Sequence, residues 1–140
     1  MPRIDAFSFE MTREKASFVK GERLCGVKAV SELFAGGKFL SEPPLKIIYR
    51  TAPAEKSIST IRVLVSVPKR NFRKATDRNL IRRRIKEAWR LSRMPLTERL
   101  NGSGIRMDLA IIWNDTQIRP YDFVLKCVTG MIGRLTNLKY

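Results

Sequence analysis

The side chains best suited to chemistry in this sequence are cations, and what they can do is bind an anion. The 140 residues include 28 Lys and Arg against 13 Asp and Glu, which gives a net charge of +15. There is no histidine, so a Ser-His-Asp or Cys-His nucleophile, an imidazole base and a His-containing zinc site are all excluded. Catalysis by this chain alone is therefore disfavoured, and a polyanion is the expected partner.

The cations are concentrated in one short segment, from Lys69 to Arg93. This segment contains eleven of the 28 cationic residues and two of the 13 acidic ones. At about 100° per residue, a helix over Thr76–Arg93 places six cations and Asn79 on an arc of about 140° beside an apolar stripe. The stripe consists of Ile81, Ile85, Ala88 and Ser92, with Trp89 at its edge. Like charges at this spacing repel each other, and Arg, which dominates, matches phosphate oxygens with two parallel hydrogen bonds. The pattern therefore predicts binding to nucleic acid rather than a merely solvated face.

The elements around this helix favour RNA over DNA. A strand over Ile61–Val67 leads into the charged helix, without the second short helix that a helix-turn-helix requires. Structured RNA is recognised through its shape, its phosphates and its 2′-hydroxyl groups, which suits a basic helix on a sheet. Three aromatic side chains are candidates for base stacking, with core packing as the alternative for each: Phe34, Tyr49 and Phe72.

Periodicity and breaker residues predict a single α+β domain over residues 25–140, preceded by an N-terminal arm of residues 1–24. The expected order is a helix, strands, the charged helix, a further strand and a last helix that begins at Pro120. The predicted strands are rich in apolar and β-branched residues: Lys38–Leu40, Leu45–Arg50, Ile61–Val67 and Asp108–Trp113.

Single residues also predict where elements begin and end. The first helix is expected to end at Gly36-Gly37 through a residue with positive φ. Thr76 is the expected N-cap of the charged helix, and Pro95 is expected to stop that helix. The nearly continuous apolar run of Ile61–Val67 predicts a central strand.

Nothing in the sequence indicates export or insertion into a membrane. The first 24 residues lack the apolar run of a secretory signal, and no stretch approaches the roughly 18 apolar residues of a membrane span. Cys25 and Cys127 are not spaced as metal ligands and are expected to be buried, reduced side chains. A cytoplasmic location without membrane contact is therefore expected.

The segment Arg78–Glu87, with the sequence RNLIRRRIKE, resembles the Arg-Asn-x-x-Lys-Arg-x-x-Arg motif of the bacterial ribonuclease P protein component. The preceding strand, Arg62–Arg70, and the following DLAIIW are also similar to that family. So are FSF near the start, the Val30–Gly37 helix and turn and the amphipathic last helix, and the similarity therefore covers about residues 7 to 138. Five positions depart from the family pattern, and the turn before the motif is about one residue longer than is usual in the family: Arg82 stands for Lys, Lys86 for Arg, Arg84 for an apolar residue, Pro68 for Ser and Val30 for an aromatic residue.

The resemblance implies a small α+β fold with about four strands, three helices and a left-handed βαβ crossover. It also implies that the charged helix binds the catalytic RNA of ribonuclease P, and that the 5′ leader of precursor tRNA lies in a cleft between the first helix and the sheet. The RNA, with Mg²⁺ held mainly by the RNA and the substrate, would then carry out the hydrolysis. No obligate protein partner is implied.

Specific residues follow from this resemblance. Those expected to contact the catalytic RNA are Lys69, Arg70, Arg73, Lys74, Arg78, Asn79, Arg82, Arg83, Lys86 and Arg90. Those expected in the leader cleft are Phe34, Tyr49 and Ser66. No catalytic residue and no metal ligand is assigned to the chain itself.

Two other functions are compatible with parts of the sequence. A ribosomal protein or a general RNA-binding module would show the same charge and fold class without a role in tRNA processing. A metal-dependent nuclease acting alone would need two or three converging carboxylates, whereas Asp108, Asp115 and Asp122 form no such motif. Dependence on one long catalytic RNA separates the first alternative from the ribonuclease P hypothesis.

Overall fold

The computed structural model describes residues 23–24, 27–56 and 58–138. These residues form four helices and four strands, and the α+β class is confirmed. In chain order the elements are α1 (Val27–Gly36), β1 (Lys38–Glu42), β2 (Leu45–Pro53), β3 (Ile61–Ser66), α2 (Ala75–Ser92), α3 (Met94–Ser103), β4 (Ile105–Trp113) and α4 (Tyr121–Thr136). The number of helices differs from the three expected, because Pro95 lies in the first turn of α3, where a missing N–H costs nothing.

The sheet has the order β1-β2-β4-β3. β2 pairs antiparallel with β1 and with β4, and β3 pairs parallel with β4 through the connection that contains α2 and α3. The prediction that Ile61–Val67 is central is wrong, since β3 is an edge strand of this sheet. Its outer edge is covered by the end of the predicted arm: Leu24, fully buried, donates its N–H to the carbonyl of Val63 at 3.0 Å. Residues 1–22 of the arm, and Cys25 at the start of the predicted domain, lie outside the described residues.

Side chains alternate between the two faces of this sheet, and the register assigns each residue to one of them. We call the first the α4 face, and it carries the odd-numbered residues of β2, β3 and β4. α4 lies on this side of the sheet, where Arg134 forms an ion pair with Glu42 of β1 at 3.4 Å. We call the second the α1 face: it carries the even-numbered residues, and α1 packs there through the ion pair between Glu32 and Arg50 at 3.0 Å.

The charged helix forms where the periodicity predicts it, with different ends. Ile81, Ile85, Ala88 and Trp89 are buried as the apolar stripe requires. The prediction of Thr76 as N-cap is wrong, because the helix begins at Ala75 and Lys74 caps it without a side-chain hydrogen bond. Pro120 is the N-cap of α4, as expected.

Gly37 joins α1 to β1, and it is required for close approach rather than for backbone conformation. The predicted positive φ is wrong here, since Gly104, at the end of α3, is the described glycine with a positive φ, of 68°. A Cβ on Gly37 would lie 2.5 Å from the carbonyl oxygen of Leu33 and 2.6 Å from Cγ2 of Ile48. The end of α1 therefore touches the sheet at a residue without a side chain.

Replacing Gly37 by Ala is expected to lower the free energy of unfolding by about 1–3 kcal/mol, because the backbone oxygen of Leu33 cannot move aside. Urea denaturation measures this change. Gly36→Ala is the matched control: a Cβ there meets nothing within 4 Å, so it should be neutral or stabilising by up to about 1 kcal/mol. Equal stability of the two variants would contradict the close-approach explanation.

Two further expectations from the sequence are that Cys127 is buried and that no segment spans a membrane. Cys127 has a free thiol on α4 and is half-buried rather than buried, and its burial raises the pKa of that thiol. Among the described residues, no helix has the length and apolar character needed to cross a membrane.

Candidate nucleic-acid interface

The ten residues predicted to contact RNA lie on α2 and on the segment 68–74 that leads into it, which we call the basic loop. Six of them are exposed: Lys69, Arg70, Arg73, Lys74, Arg83 and Arg90. Three are half-buried: Arg78, Asn79 and Arg82. The remaining one, Lys86, is 1% exposed. Nine of the ten residues are thus at least partly exposed on this segment and helix.

Lys86 is not on the exposed arc, so its predicted position is wrong. The buried face of α2 is wider than the predicted stripe, because this helix packs against both α4 and β3. The angle between Trp89 and Lys86 is only about 60° on a helical wheel. The buried face therefore extends from Trp89 to Lys86, whose Nζ is buried together with its aliphatic stem.

Several cations of α2 are held by polar neighbours on the same helix. Nη1 of Arg82 donates to Oδ1 of Asn79 at 2.8 Å. Arg90 donates to both carboxylate oxygens of Glu87, at 2.9 and 2.7 Å. These hydrogen bonds, together with the positive charge of Arg90, hold the pKa of Glu87 below its usual value. Glu87 therefore stays ionised and offsets part of the charge of Arg90, while Arg82 is oriented by Asn79.

The basic loop is attached to the fold at several points. The side chain of Phe72 is buried, so core packing is its role and the base-stacking prediction for it is wrong. Nδ2 of Asn71 donates to the carbonyl of Trp113 at 2.7 Å. Nη1 of Arg78 donates to the carbonyls of Phe72 and Arg73, at 2.8 and 3.2 Å. Three side chains thus attach the loop to the fold, although its four cations are exposed.

The three residues predicted in the leader cleft do not lie on one face of the sheet. Ser66 pairs with Ile112 and lies on the α1 face, whereas Tyr49 pairs with Leu109 and lies on the α4 face. Phe34, half-buried, belongs to α1. Phe34 and Ser66 are therefore compatible with one cleft beside α1, and the assignment of Tyr49 to it is wrong.

The α1 face also carries a charged cluster that sequence reasoning missed. Arg62 donates from Nε and Nη2 to the two carboxylate oxygens of Asp108, at 2.8 and 2.9 Å, and Nη1 of Arg106 lies 3.5 Å from the same carboxylate. The sequence contains a signal for this cluster, because charged residues interrupt otherwise apolar strands at these three positions. The cluster leaves one net positive charge on this face.

Arg84, at a position where the resemblance leads us to expect an apolar residue, points away from the cationic surface. Its Nη1 donates to the carbonyl of Arg119, just before α4. Arg119 in turn donates from Nε to Asp115 at 2.8 Å, and its guanidinium lies 5.1 Å from the centre of the Phe123 ring. Arg84 therefore attaches α2 to the segment before α4.

The described residues do not form a site for a divalent cation. Over the described ranges, no three His, Cys, Asp or Glu residues converge in a group that could hold a metal ion. Asp108 and Asp115 are instead paired with arginines.

Comparison with known proteins decides the family. The family model for ribonuclease P matches residues 18–135. The chain belongs to the ribonuclease P protein family. It is 33% identical over 118 residues to the ribonuclease P protein component of Porphyromonas gingivalis, covering 84% of this chain and 85% of that protein. It is 40% identical over 83 residues to the corresponding protein of Chlorobaculum tepidum, covering 58% of this chain and 54% of that one.

Solved structures show the same fold. The ribonuclease P protein of Staphylococcus aureus matches with a TM-score of 0.63 at 16% identity, over 83% of this chain and 98% of that one. The protein of Thermotoga maritima matches with a TM-score of 0.63 at 19% identity, over 81% and 96%. The family predicted from the Arg78–Glu87 motif is confirmed. The chain is a ribonuclease P protein component, part of an endoribonuclease that processes tRNA.

Proposed function

We propose that this chain binds the catalytic RNA of ribonuclease P through α2 and the basic loop. The observation that carries this proposal is the exposure of six cations on the basic loop and the helix that follows it: the four loop cations, Arg83 and Arg90. Such a surface neutralises phosphates at close spacing and releases counterions on binding. The chain acts in the cytoplasm and supplies charge and position, while the RNA subunit carries out the hydrolysis of the precursor tRNA.

The α1 face is the proposed binding surface for the 5′ leader of precursor tRNA. Phe34 offers a half-buried ring beside the sheet, and Ser66 a hydroxyl on the sheet itself. Aromatic rings can stack on unpaired bases, and hydroxyl groups can donate to phosphates. The net positive charge of the Arg62, Arg106 and Asp108 cluster supports the same surface.

Mg²⁺ is proposed to be held by the RNA subunit and the substrate. The described side chains do not fit a divalent cation site, so no step of the reaction is assigned to a metal on this chain. What the chain contributes toward the cations is indirect, because its own positive charges reduce the repulsion between the RNA and its substrate.

Reconstitution with the purified RNA subunit tests the proposed function. At low Mg²⁺ concentration, adding the chain should raise the rate at which precursor tRNA is cleaved at its mature 5′ end. Binding to the RNA without any gain in cleavage would instead favour a general RNA-binding module. Cleavage by the chain in the absence of the RNA would favour a nuclease that acts alone.

Arg83→Ala is expected to weaken binding to the RNA subunit by about 1–3 kcal/mol, if the guanidinium makes a fixed bidentate contact with phosphate. Filter binding at moderate salt measures the loss. Arg84→Ala is the matched control, because this neighbouring guanidinium is bonded to the carbonyl of Arg119 on another side of α2. It should lower stability more than RNA affinity, and equal affinity losses in the two variants would contradict the proposed surface.

A further inference from the structure

The basic loop carries exposed charge on a backbone that is attached to the fold at three points. Three independent attachments do this: the buried ring of Phe72, the bond from Asn71 to the carbonyl of Trp113, and the bonds from Arg78 to two loop carbonyls. The N–H of Asn71 also donates to the carbonyl of Pro68 at 3.1 Å, which closes a turn at the start of the loop. Exposed loops of this length are ordinarily mobile. Attachment of this loop at so many points therefore calls for an explanation.

Arg78 is the first residue of the motif that resembles the family, yet its geometry differs from that of a phosphate-binding side chain. Its side chain is half-buried, and Nη1 is directed at the carbonyls of Phe72 and Arg73. A guanidinium bound to two carbonyls joins the first turns of α2 to the loop that precedes them. Asn71, which is uncharged, does the same at the other side of the loop by binding the end of β4.

We propose that Asn71 and Arg78 are positioning residues that act on RNA through the four loop cations, by fixing the shape of the loop before RNA arrives. This inference rests on the proposed function and extends it to residues that do not themselves have to touch phosphate. A loop already ordered in the free protein loses less conformational entropy on binding, so its cations contribute more affinity.

A double-mutant cycle with the RNA subunit of ribonuclease P as the probe tests this inference. The first arm introduces Asn71→Ala into the native chain. The second introduces it into a background in which the loop cations are neutral, with Lys69→Gln, Arg70→Gln, Arg73→Gln and Lys74→Gln. Asn71→Ala should weaken binding about three- to tenfold in the first arm and leave it nearly unchanged in the second.

Two further variants separate position from charge and from general stability. Arg78→Lys keeps the positive charge but loses the guanidinium fork, and it should weaken binding about as much as Asn71→Ala does. Asn114→Ala, which removes an exposed amide next to Trp113, is the matched control and should bind as the native chain does. Hydrogen exchange should be faster at the backbone amide of residue 71 in Asn71→Ala and Arg78→Lys, while the backbone amides of Ile81 and Ile85 stay protected.

The inference is overturned if Asn71→Ala weakens binding equally in both arms, or if Arg78→Lys binds RNA as tightly as the native chain. Global loss of structure would show as faster exchange throughout α2, and it too would overturn a role confined to the loop. Failure of the proposed function has a different signature: the native chain would prefer the catalytic RNA no more than another structured RNA of equal length. In that case, the same cycle measured on either RNA still decides whether Asn71 and Arg78 act through the loop.

Discussion

Replacing all four cations of the basic loop by Gln is expected to weaken binding to the catalytic RNA about 100- to 1,000-fold at physiological salt. Each Lys or Arg that neutralises a phosphate releases a condensed counterion. Loss of four such contacts should therefore make the negative slope of log affinity against log salt shallower by about three to four. The four residues, Lys69, Arg70, Arg73 and Lys74, are all exposed, so their removal should leave stability nearly unchanged. Filter binding over a salt series measures both the affinity and the slope.

A matched variant removes the same amount of charge elsewhere on the surface. Lys28, Lys38, Lys56 and Lys126 are exposed and lie outside α2 and the basic loop. Their replacement by Gln lowers the net charge equally and should cost far less affinity, with a small change in slope. If the two variants lose affinity alike, net charge rather than a defined surface governs binding.

The second large effect is expected on stability. Asp108→Ala should lower the free energy of unfolding by about 3 kcal/mol, because its carboxylate, 8% exposed, is paired with Arg62 and lies close to Arg106. Those guanidiniums are themselves 23% and 16% exposed, so without the carboxylate two positive charges face each other with little water between them. Urea denaturation at neutral pH measures the loss.

An exposed ion pair on the same face provides the control for Asp108→Ala. Glu32 and Arg50 are 47% and 44% exposed, and Glu32→Ala should cost no more than about 1 kcal/mol. The difference between the two variants measures how much burial strengthens the interaction. A loss in Asp108→Ala no greater than in Glu32→Ala would show that the cluster on the α1 face does not depend on its carboxylate.

Predictions from the sequence were correct for elements that depend on nearby residues. They were wrong for positions whose environment is set by contacts between distant parts of the chain. The stripe of Ile81 and Ile85 has a helical period, and this period alone locates α2. Lys86 lies near that stripe and is buried on a helix that packs against both α4 and β3. No local pattern reports that second neighbour.

The predicted leader cleft shows the same limit in the sheet. Alternation along a strand separates odd from even positions within that strand, but it does not relate β2 to β3 until both are paired with β4. Tyr49 and Ser66 could therefore not be assigned to opposite faces from the sequence alone. Likewise, the order β1-β2-β4-β3 leaves β3 at an edge although its composition is that of a buried strand.

The hydrogen bond from Asn71 to the carbonyl of Trp113 links the beginning of one connection to the end of the strand that follows it. In the order of synthesis, the basic loop and α2 emerge before β4, and the carbonyl that holds Asn71 belongs to the last residue of β4. The loop therefore reaches its final shape only after β4 has entered the sheet between β2 and β3. A nascent chain that ends before Trp113 therefore lacks one of the anchors of the basic loop.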